Sequence, residues 1–190
     1  MGRRIKTLAA SFIIIFTVCI SSSVTNAALL SINNASAVQY YSMVPANVRA
    51  RLEANGVDIL VDTATLQLYA YKPTLTGIAV TDYYEGSNEV IHESIYIKNG
   101  EEKTILHEVG HIVDNYNRIC SYWSSSPAWN AIYASEVQNA SKAGMSSVNF
   151  NKGPGEYFAE AFQLYILNPV SLATYCPNTY QFIAAASMMY

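Results

Sequence analysis

The spacing of apolar positions changes twice along the chain. After an uncharged apolar run from Leu8 to about Ile20, "VPANVRARLEANG" sets Val48 and Leu52 four apart between Pro45 and Asn55-Gly56. That pattern predicts a helix opened by the proline and stopped by Asn-Gly. In "VDILVDT" Val57, Ile59 and Val61 alternate with Asp58, Leu60 and Asp62, which predicts a strand. "LQLYAY" and "GIAV" read as further short β-rich runs, cut by Pro73 and Gly77. "EVIHESIYI" alternates most clearly, with Ile91, Glu93, Ile95 and Ile97 on one face and His92, Ser94 and Tyr96 on the other, until Asn99-Gly100 ends it. From Glu101 the period lengthens. Ile105, Val109 and Ile112, with Leu106 and Val113, form a helical stripe, and Glu101 and Glu102 suit the positive end of that helix. The stretch from Cys120 to Phe150 is rich in Ser, Asn and Ala; it predicts a helix starting near Pro127 and a loop through Gly144. "GPGEYFAEAFQLYILNP" predicts another helix from Pro154 to Asn168-Pro169. Helix, short sheet, then helices is an α+β order.

The opening residues stand apart from this pattern. "MGRRIKTLAASFIIIFTVCISSSVTNA" joins a basic start to an apolar core shorter than the ~20 residues of a membrane span, then a small-residue site at Ala27. It reads as a secretory signal peptide of residues 1–27, with a cut after Ala37 as the alternative, followed by one domain over residues 28–190. The residues before Cys19 do not suit lipidation. Removing the leader takes three of the 11 basic residues and none of the 14 acidic ones, for a net charge of −6. That argues against a nucleic-acid partner. Cys120 and Cys176 remain, and export makes a disulfide between them one possibility beside two separate thiols.

"TILHEVGHIVD" carries the candidate chemistry. Residues i and i+4 of a helix share a face with Cβ atoms ~5–6 Å apart, so His107 and His111 can aim at one ion ~2.0–2.1 Å away. A catalytic zinc site needs a third protein ligand and an open position for water. The helix from Pro154 offers Glu156, Glu160 and Gln163 as a polar stripe among Tyr157, Phe158, Ala161, Phe162 and Tyr165. Carboxylates on so apolar a helix need partners. Glu156 is assigned as third ligand and Glu160 as acceptor of a ligating imidazole N–H, although spacing alone permits the reverse. Glu108, about 100° round the helix from His107, would activate zinc-bound water as general base. Gly110 costs up to about 1 kcal/mol in a helix interior, which implies that another backbone passes close by. The bland alternative is an ordinary surface pair of histidines. His92 has a weaker claim to a substrate role, and Asp114 divides between supporting a histidine and being a solvated helix residue.

At "HEVGHIVD", "EYFAEAFQLYILNP" and "CPNTYQFI" the chain resembles the zinc metallopeptidase domain of anthrax lethal factor, and more closely the secreted Pro-Pro endopeptidases that share it. The resemblance implies a zincin-like fold, one Zn2+ per chain, and proteolysis outside the cell. It makes His107, His111 and Glu156 the metal ligands, Glu108 the catalytic base, and Glu160 the family's second acidic residue. It also implies that an extended substrate pairs with the edge of the "HESIYI" strand, with proline around the cleaved bond. One position departs: where the family carries a tyrosine seven residues before the third ligand, this chain has Asn149, with Phe150 beside it. Asn149, Tyr133 and Tyr157 are the candidates to replace that donor.

The expected protein is thus a secreted zinc endopeptidase acting as a monomer on an extracellular or cell-surface protein or peptide, with no membrane attachment in the mature form. Its first alternative is a catalytically impaired zinc-binding module. A hydrolase of cell-wall peptide and a metal-free surface protein, the latter favoured by the 15 tyrosines, are the others.

Overall fold

The structure, a computed structural model, describes residues 32–70, 74–83, 90–115 and 122–190. The expected signal peptide and Cys120 lie outside the described residues, and Cys176 is a buried free thiol.

The elements run α1 (Ala35–Met43), α2 (Ala46–Ala54), β1 (Asp58–Val61), α3 (Thr63–Ala70), β2 (Gly77–Tyr83), β3 (Val90–Ile97) and α4 (Ile105–Asp114). Then follow α5 (Pro127–Glu136), the short α6 (Ala140–Ala143) and α7 (Ser147–Phe150), and α8 (Pro154–Leu167), α9 (Pro169–Tyr175) and α10 (Pro177–Met189). This is the α+β arrangement the sequence predicts. Among the described residues no helix is long and apolar enough to cross a membrane.

The mixed sheet has the order β1-β3-β2. β1 runs parallel to β3, from Asp58 opposite Ser94 to Val61 opposite Ile97. β2 runs antiparallel to β3, from Gly77 opposite Ile97 onward. The "HESIYI" strand is therefore central. β1 pairs with it over Ser94–Ile97 and β2 along its other side, so the expected pairing of a substrate with its edge is corrected: β1 and β2 are the edge strands among the described residues, and β2 is the one that lines the cavity. The inward Ile59, Ile95 and Ile97 meet Ile105, Val109 and Ile112 of α4 in one fully buried core.

Two local differences from the sequence pattern have the same cause. The described part of that run, "LQLYA", does not form a strand, because Asp62 caps a helix there. Its Oδ1 accepts from the N–H groups of Ala64 (2.9 Å) and Thr65 (3.2 Å), and its Oδ2 from the Thr65 hydroxyl (2.6 Å). A satisfied N-cap contributes ~0.5–2 kcal/mol and overrides the β preference of so short a run. Asn34 caps the unpredicted α1 in the same way, accepting from Ser36 (2.8 Å) and Ala37 (3.1 Å). A cut after Ala37 would divide this helix, in which Ala37 and Tyr41 are buried.

α4 and α8 cross at Gly110. A Cβ there would lie 2.8 Å from Ala159 Cα and 3.1 Å from Ala159 O, so the α8 backbone passes where any other side chain would stand. Ala159 lies between Glu156 and Glu160, and the same close approach brings those carboxylates to the histidines.

Candidate metal centre

The α4 spacing places the His107 and His111 rings side by side, centroids 4.8 Å apart and nearly perpendicular. Glu156, in the first turn of α8, reaches between them: its Oε2 lies 3.3 Å from His107 Nε2 and 4.0 Å from His111 Nε2. One ligand atom from each of the three residues falls within 4.8 Å of the others. Donors at the corners of a tetrahedron with ~2.0–2.1 Å zinc bonds stand roughly 3.4 Å apart, so the cluster fits zinc after small side-chain adjustments. Two imidazoles and one carboxylate also leave a fourth position open.

Glu160, one turn further along α8, is held by the Ser146 N–H at Oε2 (3.0 Å) and the Asn149 amide at Oε1 (2.7 Å). Its Oε1 faces His107 Nδ1 at 3.4 Å. That nitrogen is buried without a well-formed hydrogen bond. A modest rotation of the ring toward Glu160 would satisfy it and turn Nε2 to an ion.

Glu108 points the other way, into the wall formed by β2. It is buried, and the Ala79 N–H donates to its carboxylate. A Cβ at Gly77 would lie 2.8 Å from Glu108 Oε1, 3.0 Å from its Cγ and 2.7 Å from Thr104 Cγ2. The glycine leaves the space that the Glu108 carboxylate occupies.

Without an ion the acidic cluster shares a proton unevenly. Burial lowers the His107 pKa, but the close Glu156 and Glu160 carboxylates and the charge of Glu108 outweigh it and raise the group to about 9. His111 is pushed down by burial and by the neighbouring His107 charge. Burial raises Glu108 to about 7 against the pull of His107, whereas the close His107 imidazole lowers Glu156. A carboxylate-rich site that holds a proton on one imidazole is electrostatically suited to a cation in its place.

The centre opens into a cavity of about 520 Å³. β2 forms one wall, the α8 carboxylates and Gln163 another, and Tyr122, Asn149 and Lys152 also face it. The candidate oxyanion donors are engaged elsewhere. The Asn149 amide donates to Glu160, the Tyr133 hydroxyl reaches Phe150 O at 3.4 Å, and the Tyr157 hydroxyl pairs with Thr179 at 2.8 Å. Asp114 lines the cavity but binds the turn at 122–125, accepting from Ser124 N (2.7 Å) and Oγ (2.6 Å). His92 lies away from the cavity, 3.1 Å from Asp58. Two residues escape the sequence pattern. A glycine opening a strand, as at Gly77, signals close approach and was readable as such. Lys152 carried no comparable signal.

Fold and donor set together define an α+β protein with a possible metal site of two histidines on one helix and a glutamate on a later one. The chain belongs to the anthrax lethal factor family: the model described as "Anthrax toxin lethal factor, N- and C-terminal domain" matches residues 79–186, which include all three donors. Among solved structures, that of a Pro-Pro endopeptidase (PPEP-2) from Paenibacillus alvei shares the fold. Its TM-score is 0.54 at 22% identity, covering 80% of this chain and 89% of that one. No curated protein matches the sequence.

Proposed function

We propose that the protein is a secreted zinc-dependent endopeptidase, acting as a monomer on an extracellular or cell-surface protein. The observation that carries this reading is the placement of a buried carboxylate, Glu108, between a His107/His111/Glu156 cluster and β2, an edge strand of the sheet. Secretion rests on the basic and apolar leader, with cleavage after Ala27. Membership of the lethal factor family and the fold shared with a Pro-Pro endopeptidase support peptide-bond hydrolysis, with proline around the cut as the sequence to try first.

His107, His111 and Glu156 would hold the ion, and Glu160 would orient His107 through Nδ1. Zinc bound there would supply a Lewis acid that polarises a carbonyl and lowers the pKa of water toward ~7. Glu108 takes a proton from the attacking water on its carboxylate and returns it to the departing amine. The outer edge of β2 pairs with an extended peptide through backbone hydrogen bonds, and side-chain pockets along the cavity select the sequence.

The test is cleavage of a peptide library, read by mass spectrometry, with and without chelator, for wild type and Glu108→Ala. Cleavage by wild type is expected, lost with chelator. The variant is expected to keep its zinc and fold while turnover falls ~10²–10⁴-fold. Normal cleavage by the variant rejects Glu108 as base. One observation favours a second reading, a zinc-binding module without turnover: the Asn149, Tyr133 and Tyr157 donors all point at protein partners. A zinc-loaded wild type that cleaves nothing in the library selects that reading.

A further inference from the structure

The charge that develops on a scissile carbonyl needs a partner, and the cavity walls differ in what they offer. When a water oxygen bonds to the carbonyl carbon, the C=O π pair moves onto the carbonyl oxygen while the water proton passes to Glu108. When the C–N bond breaks, the pair returns and the amine takes that proton. Glu108 enters from the β2 wall beside Gly77 and Ala79. A developing oxyanion in a cavity lined by Glu108, Glu156 and Glu160 needs a positive partner, and Asn149 and Lys152 line that same cavity.

The Asn149 amide is used at both ends. Its Nδ2 donates to Glu160 (2.7 Å) and its Oδ1 accepts from Lys152 Nζ (3.0 Å). One hydrogen of that amide remains, on a neutral group whose two bonds fix its position. Lys152 is the one lysine or arginine among the described residues that line the cavity. An ammonium has three N–H donors, and Asn149 engages one of them. The Lys152 side chain is exposed to the cavity, with no carboxylate within ion-pair distance among the described residues. Its charge nevertheless acts on Glu108, His111 and Glu156, which places it within electrostatic reach of the whole centre.

We propose that Lys152 donates to the carbonyl oxygen as it becomes negative, with Asn149 as the positioning residue that ties the ammonium to Glu160 and hence to the His107 side of the metal centre. The inference rests on the peptidase reading above. It gives the Asn149 position a different task from direct donation.

The experiment compares wild type, Lys152→Met and Lys152→Arg, all zinc-loaded, on the best library peptide and on a phosphinic analogue of it that mimics the tetrahedral species. Loss of an oxyanion donor costs ~10²–10³ in kcat, so Lys152→Met is expected to lose about 10²-fold in kcat with KM changed less than about threefold. Its affinity for the phosphinic peptide is expected to fall by a similar factor while zinc content stays equal to wild type. Lys152→Arg is expected to retain more of both properties than Lys152→Met. Unchanged phosphinic affinity in Lys152→Met overturns the proposal. A loss confined to KM, and to peptides bearing Asp or Glu, also overturns it and makes Lys152 a reader of substrate side chains. Wild type that cleaves no peptide overturns both this inference and the peptidase reading; wild type and Lys152→Met that cleave equally overturn this inference alone.

Discussion

The α4–α8 crossing and the β2 wall face each other across one cavity and are built differently. Around Glu156 and Glu160 the α8 helix buries Tyr157, Phe158, Ala159, Ala161 and Phe162 completely. Trp129 packs on this helix too, donating its indole N–H to Pro154 O at 2.9 Å with its ring 5.0 Å from that of Phe158. The donors on this side are fixed by core packing. The β2 wall fixes Glu108 with one backbone N–H and a gap at Gly77, and among the described residues no strand pairs with its outer edge. Close packing suits a metal site, which needs its donors preset, while an open edge suits a chain that must enter and leave. Disturbing the first should remove the ion, and disturbing the second should remove turnover alone.

The largest effect is expected from Glu156→Ala or His107→Ala. Losing an outer partner such as Glu160 weakens metal binding ~10–100-fold, and losing a donor itself should exceed that. Competition with a chromophoric chelator reads the affinity, and circular dichroism should show the fold retained, because neither side chain belongs to the apolar core. A variant that still holds zinc as tightly as wild type breaks the assignment of its donor.

Gly77→Ala comes next and sharpens the contrast. The backbone there is ordinary, so the methyl acts by displacing Glu108 and Thr104. A misplacement of about 1 Å can cost on the order of 10² in rate, and that is the expected loss in kcat, with zinc affinity and thermal midpoint near wild type. Gly110→Ala should do the reverse. Its methyl meets α8 backbone, which cannot swing aside, and overpacking of this kind costs ~1–3 kcal/mol of stability. Urea unfolding should show that loss in Gly110→Ala and little in Gly77→Ala; equal behaviour of the two would erase the distinction between the walls.

How far each wall was legible in the sequence follows from the range of its interactions. The helix side could be read because a period of 3.6 residues fixes which side chains share a face, as with His107 and His111 or Glu156 and Glu160. Gly110 even announced that another backbone crosses it. The sheet side could not be read in this way. Alternation identified β1 and β3 as strands but says nothing of their order, and "HESIYI", the most regular strand, is the central one. The α3 helix was hidden by a cap at Asp62, a local bond that outweighs the β preference of "LQLYAY". Lys152 acquires its place only through Asn149 and Glu160, a contact chain between α7 and α8 that no periodicity encodes.

Asp114 stands at the end of α4, which it ties to the turn that carries Tyr122. Burial raises its pKa to about 6 from 3.8, against the two hydrogen bonds from Ser124. The folded state thus holds this proton more tightly than the unfolded chain. Its contribution to stability is fully present below about pH 4 and is lost as the pH rises through about 6. At ~1.4 kcal/mol per pKa unit, the loss is at most about 3 kcal/mol. Asp114→Asn cannot titrate, so the stability difference between wild type and variant should move in favour of the variant across that window. Urea unfolding at a series of pH values, in chelator so that zinc binding does not enter, measures the difference. A difference that stays flat from pH 4 to above pH 6 would mean that Asp114 is ionised in the folded protein throughout, with the Ser124 bonds outweighing its burial.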